Sequence, residues 1–157
     1  MTRAPWVFVA TGLGGLVASQ GIGWAVTALV APGEERVLIP GLLSVLVLHN
    51  PGVAFGWLGQ LAPPVVAGLA LTVLAALFYN RGAWPGGSAD QWGFGLMAGG
   101  AVANVVDRLR FGYVVDYLDV HVWPVFNLAD AAIVAGVGVL AAASLVRRRR
   151  GATGVTR

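Results

Sequence analysis

Residues 4–33 read APWVFVATGLGGLVASQGIGWAVTALVAPG, an uncharged run between Arg3 and Glu34. A helix crosses roughly 30 Å of hydrocarbon with about 20 apolar residues, whereas the core of a cleavable signal peptide takes only about 7–15. The run therefore predicts a membrane span over Trp6 to Val30. Pro32 and Gly33 end it, and Glu34, Glu35 and Arg36 mark its emergence into water.

The rest of the chain has the same character. Of its 157 residues, 57% are hydrophobic and 11% charged, where an ordinary soluble domain carries about a quarter charged. Such a length holds four spans and leaves no room for a separate soluble domain, so residues 1–157 are expected to form one integral membrane domain. Beyond 6–30, the spans fall at about 62–79, 91–110 and 127–146. The second starts at Pro63-Pro64 and is followed by a Gly-rich connection to Asp90. The third carries Gly93, Gly95, Gly99 and Gly100, small residues that let helices approach closely.

Two stretches do not read as spans. Val37 to Trp57 mixes β-branched residues with Pro40, Gly41, Asn50-Pro51-Gly52 and Gly56, a pattern of short strands and turns at the membrane surface. Phe111 to Phe126 holds Asp116, Asp119, His121, Trp123 and Pro124 and reads as interfacial. The expected fold is an all-α membrane protein of four transmembrane helices with a small β-like cradle and a surface helix or loop. Arg3, Arg81 and the run Arg147 to Arg150 fall on one side, which the positive-inside rule makes cytoplasmic, with both termini. Arg108 and Arg110 fall on the other side, which gives them a structural or functional task to explain.

Composition excludes several chemistries. Without cysteine there are no disulfides, thiolate nucleophiles or thiolate-held metals, and without lysine there is no serine–lysine dyad. His49 and His121, the only histidines, lack metal-ligand spacing, so no metal or other cofactor is expected. The serines sit in no Gly-x-Ser-x-Gly setting. The net charge of +3 rests largely on the terminal arginine run, an anchor next to a span rather than a nucleic-acid surface.

Aspartates remain, and an aspartate in hydrocarbon costs about 2.5–3.5 kcal/mol at a helix centre, so each needs a reason. Asp90 begins a helix, where a carboxylate caps free N–H groups. Asn104 and Arg108, four residues apart, share a helix face; they either line a polar site or serve as helix glue, with Asp107 or Asp116 neutralising the arginine. Asp116 sits inside an apolar stretch, and Asp130 lies in the first turn of the last helix beside Asn127. Two converging carboxylates hold one proton near neutral pH, because repulsion and desolvation raise one pKa. One then takes a proton from water while the other supplies one to the carbonyl, the requirement for aspartic proteolysis.

Three segments together resemble the lipoprotein signal peptidase (signal peptidase II) family. They are His49-Asn50-Pro51-Gly52-Val53-Ala54-Phe55-Gly56; Asn104-Val105-Val106-Asp107-Arg108 with Gly112-Tyr113-Val114-Val115-Asp116-Tyr117; and Phe126-Asn127-Leu128-Ala129-Asp130 with Ile133 and Gly136. The resemblance implies an aspartyl endopeptidase of the bacterial cytoplasmic membrane, acting at the extracytoplasmic face. Its substrates would be diacylglyceryl-modified prolipoproteins, cut just before the lipidated cysteine. Asp116 and Asp130 match the catalytic pair, and Asn50, Gly52, Phe55, Asn104, Arg108 and Asn127 match residues that support the site or bind substrate. A monomer in contact with membrane lipid, with no nucleic-acid partner, is expected.

The chain departs from the family in its first helix, where Asp-Gln-x-x-Lys is usual and Ser19-Gln20-Gly21-Ile22-Gly23 stands here; Ala103 also replaces a glycine. An acid and a base are lost together, so neither is left unpaired. Two other classes stay open on the sequence: a non-catalytic paralogue that binds lipoproteins or lipopeptides, and a proton or ion pathway through the aspartates.

Overall fold

The computed structural model describes residues 6–51, 75, 79 and 87–153, with side chains to residue 150. The span expected over 62–79 and the positions Gly52 and Phe55 fall outside them, save for residues 75 and 79. The described chain is mostly helical with a small antiparallel sheet: α1 (Trp6–Leu29), β1 (Glu35–Ile39), β2 (Leu43–Asn50), α2 (Ser88–Phe111), β3 (Val114–Asp119) and α3 (Leu128–Thr153). Among these, α1 and Leu128–Arg150 of α3 are long and apolar enough to cross a membrane. At 24 residues α2 matches α1 in length, but Asp90, Asp107, Arg108 and Arg110 make it less apolar.

Helix α2 packs against both α1 and α3, and its glycines explain how. A side chain at Gly99 would run into the backbone of Gly12, and one at Gly100 into the carbonyl of Ala129. At these two points α2 meets α1 and α3 backbone to backbone. The boundaries differ little from the sequence reading at α1. Helix α2 starts three residues earlier, at Ser88, and α3 runs on through the arginines to Thr153.

One of those arginines has a partner that the sequence reading did not assign. Asp90 does cap α2, its Oδ2 accepting the Gly87 N–H (3.1 Å), but its Oδ1 also takes Arg147 Nη1 at 2.9 Å. Arg147 is therefore a partner of a 3%-exposed carboxylate and joins the start of α2 to the end of α3.

At the opposite end of the helices lies the sheet, in the order β1-β2-β3. β1 and β2 form the hairpin expected from Val37 onward, turning at Gly41 (φ 71°), with Val37, Leu38, Ile39 and Leu42 exposed at its tip. The segment read as a surface helix or loop instead supplies β3, antiparallel to β2. Gly112 makes this possible: its left-handed φ of 81° ends α2, its N–H bonding the Arg108 carbonyl, and turns the chain into β3 at once. Val30, Val47, Val115 and Tyr117 form the core between sheet and helices.

Candidate active site

Asp116 is carried by β3 and Asp130 by the first turn of α3, and the local structure of each is set by a neighbour. Asn127 caps α3: its Oδ1 accepts the Asp130 N–H (3.0 Å), while Asp130 Oδ2 accepts the Asn127 N–H (3.2 Å). This reciprocal pair is the geometry of a capping box. It leaves Asp130 Oδ1 available, and Asn104 Nδ2 of α2 donates to that oxygen at 2.8 Å. Asp130 thus serves the start of α3 with Oδ2 and meets the α2 amide with Oδ1.

On β3 the register decides the contact. Asn50 stands opposite Val114, so Asp116, two residues further along, projects on the same face of the sheet. Asn50 Nδ2 donates to Asp116 Oδ2 at 2.8 Å, and Asn127 Nδ2 donates to Asp116 Oδ1 at 3.1 Å. Asn127 Nδ2 also reaches Asn104 Oδ1 at 3.1 Å. Asn127 therefore touches both carboxylates, one through its side chain and the other through its backbone.

Asp116 is 4% exposed. Burial pushes its carboxyl from 3.8 up to about 6; the Asn50 hydrogen bond opposes this, the Asp130 charge adds to it, and the Arg108 charge and the Asn127 hydrogen bond pull it back. Arg108, half-buried, donates from Nη1 to the Asn104 carbonyl at 3.1 Å. Four predicted site residues in addition to the two aspartates (Asn50, Asn104, Arg108 and Asn127) are thus brought together.

Asp107 does something else. Its Oδ1 accepts Gln20 Nε2 of α1 at 2.7 Å and its Oδ2 the Val115 N–H at 3.5 Å, so it ties α1 and β3 to α2 next to the pair. Gln20 further reaches the Ala103 carbonyl (3.3 Å) and accepts from Arg110 Nη1 (3.3 Å). This gives Arg110 the task its position called for. Sequence reasoning also missed Tyr117, whose oxygen accepts the Leu128 N–H at 3.2 Å and whose phenol burial pushes up. Its place next to Asp116 is a signal, but nothing local says that it reaches the start of α3.

Glu35, Asp119 and His121 bring potential metal-donor atoms within 4.8 Å of one another on the rim of the sheet, a grouping that spacing along the chain did not suggest. His121 Nδ1 lies 3.6 Å from Asp119 Oδ2.

A signal peptidase (SPase) II family model matches residues 13–146. The lipoprotein signal peptidase of Moorella thermoacetica is 46% identical over 112 residues, covering 69% of this chain and 73% of its own length. That of Pelotomaculum thermopropionicum is 42% identical over 133 residues, covering 83% and 86%. In fold the chain is similar to two solved structures of a bacterial membrane enzyme obtained by the in meso method. Each has a TM-score of 0.77 at 24% identity over 88% of this chain, and they are covered over 87% and 92% of their own lengths.

Proposed function

The chain belongs to the signal peptidase II family and is a peptidase that removes signal peptides from prolipoproteins; from that premise we propose that Asp116 and Asp130 are its catalytic pair. The observation that supports this most is Asn127, bonded to Asp116 at 3.1 Å and to Asp130 at 3.2 Å, which couples the two carboxylates at one edge of the sheet.

The roles follow from the environments. Asp116, whose carboxyl burial holds at about 6, is the acid; Asp130 is the base. As a water oxygen attacks the scissile carbonyl carbon, Asp130 takes the water proton and Asp116 gives its own to the carbonyl oxygen. On collapse of the tetrahedral species the C–N bond breaks, Asp130 protonates the leaving nitrogen, and a hydroxyl proton returns to Asp116. Asn104 and Asn127 orient the pair, Asn50 holds Asp116 on β3, and the Arg108 charge moderates the pair's repulsion. The family resemblance adds Gly52 and Phe55 as residues that bind substrate. No step uses a cofactor.

The substrate proposed is a diacylglyceryl-modified prolipoprotein cut just before its lipidated cysteine. One domain of four spans, with 62–79 as the second, carries the site as a monomer in the bacterial cytoplasmic membrane, with no nucleic-acid partner. The arginine end of α3 is cytoplasmic, as are both termini. The sheet end is extracytoplasmic, where the exposed apolar hairpin tip at Val37 to Leu42 meets lipid.

Purified protein in detergent is expected to cleave such a substrate, and Asp116→Asn and Asp130→Asn each to lose at least about 10³-fold in kcat/KM. Cleavage retained in either variant would refute the pair. Substrate binding without cleavage by the unaltered chain would instead make it a lipoprotein-binding relative.

A further inference from the structure

The rim of the sheet carries three donor groups that peptide cleavage does not use. Glu35 begins β1 and Asp119 ends β3, the two outer strands, which do not pair with each other. His121 follows two residues after Asp119. One oxygen of each carboxylate and one ring nitrogen of the histidine lie within 4.8 Å of one another.

The histidine ring is held through the nitrogen that a metal would not take. Its Nε2 lies 3.4 Å from Oγ of Ser44, a fully buried residue of β2 that stands opposite Asp119. With the proton on Nε2 the ring donates to that hydroxyl, and Nδ1 is left as a lone pair on the side of the carboxylates. Ligand imidazoles are held in this way, the second nitrogen bonded to a neighbouring oxygen.

Asp119 divides its oxygens in the same manner. Oδ1 accepts the His121 N–H at 2.7 Å, and Oδ2 stays 3.6 Å from Nδ1. That gap exceeds the roughly 2.7–3.2 Å of an N–H···O hydrogen bond. It is close to the roughly 3.3 Å between two ligands of a tetrahedral zinc ion whose bonds are about 2.0–2.2 Å long. The Glu35 carboxylate is exposed, has no hydrogen bond or ion pair among the described residues, and closes the third position by side-chain rotation. Arg36, its neighbour in the chain, is taken by Glu34 at 2.7 Å.

Three acceptors and two negative charges thus face one point. A set of one imidazole and two carboxylates suits a divalent transition-metal ion, whereas Ca²⁺ and Mg²⁺ take oxygen ligands and would leave the ring idle. We propose that Glu35, Asp119 and His121 bind one such ion, of the zinc type, as a structural clasp between β1 and β3. The clasp stands apart from the aspartate pair and steadies the strand that carries Asp116.

The test titrates the tag-free full chain in detergent with ZnCl₂, and separately with CaCl₂, by calorimetry. One saturable Zn²⁺ per chain is expected, and His121→Ala and Glu35→Gln should each weaken it at least about tenfold. His49→Ala, which alters the other histidine, should leave it unchanged. Zn²⁺ should also raise the unfolding midpoint of the unaltered chain but not that of His121→Ala. Equal midpoints without metal show that the variants fold, and Glu35→Gln, an exposed and near-isosteric change, serves if His121→Ala does not. No saturable Zn²⁺ binding, binding that survives in both rim variants, binding lost in His49→Ala, or a preference for Ca²⁺ would overturn the site.

Discussion

Helices α2 and α3 meet buried carboxylates at both ends, and the two ends treat them differently. At the start of α2, Asp90 is 3% exposed and takes a counter-charge, Arg147 at 2.9 Å, together with the Gly87 N–H. At the sheet end, Asp116 is 4% exposed and takes side-chain amides from Asn50 and Asn127, as Asp130 takes one from Asn104. A direct ion pair gives a carboxylate a counter-charge and joins two helices. Amides orient a carboxylate yet leave burial free to hold its proton near neutrality, and a hydrolytic acid needs that proton.

The largest effect should therefore separate the ends by readout. Asp116→Asn removes cleavage, whereas Asp90→Asn leaves kcat within a few-fold. Arg147→Ala, which strips the buried Asp90 of its cation, is expected to lower stability by about 1–3 kcal/mol. That is less than the roughly 3–5 for a fully buried pair, because Arg147 is partly exposed. Cleavage assays and thermal unfolding in the same detergent check both. A kcat collapse in folded Asp90→Asn would erase the distinction between the ends.

Much of this layout is legible in the sequence where one cause acts locally. The uncharged run from Trp6 marks α1, Pro40-Gly41 marks the hairpin turn, and Asn127 with Asp130 marks the start of α3. β3 is not legible for a physical reason. Val114, Val115, Asp116 and Tyr117 are all buried, so the alternation that betrays a half-exposed strand is absent. Arg147 cannot be told from Arg148 to Arg150 by composition, since only the approach of α2 selects it. The loss of charge at Ser19 and Gly23 is plain in the sequence, but the Gln20 to Asp107 bond across helices needs three dimensions.

The comparison sharpens with pH. The folded Asp116 carboxyl sits at about 6, above its ordinary 3.8. A raised acid favours the folded state while protonated, so its contribution is full below about pH 4 and is lost as pH rises through about 6. Unfolding stability should fall by on the order of 1–3 kcal/mol between about pH 4 and 8, and Asp116→Asn should flatten that slope. Cleavage should decline over the same window as the acid loses its proton. A stability slope that survives in Asp116→Asn would place its origin elsewhere.

The smallest effect tests whether the amides tune the acid or only hold it. The Asn50 hydrogen bond at 2.8 Å opposes the burial that raises Asp116. Asn50→Leu removes that bond and adds apolar cover, both of which favour the protonated form. The alkaline limb of kcat/KM should then move to higher pH by up to about one unit, the worth of an ordinary hydrogen bond. At low pH, where Asp116 is protonated in both proteins, the variant should lose less activity than the bond's removal alone would suggest. A merely structural Asn50 would instead lower the whole profile and leave the limb where it was, because disordering β3 slows the reaction equally at every pH without changing the proton affinity of the acid.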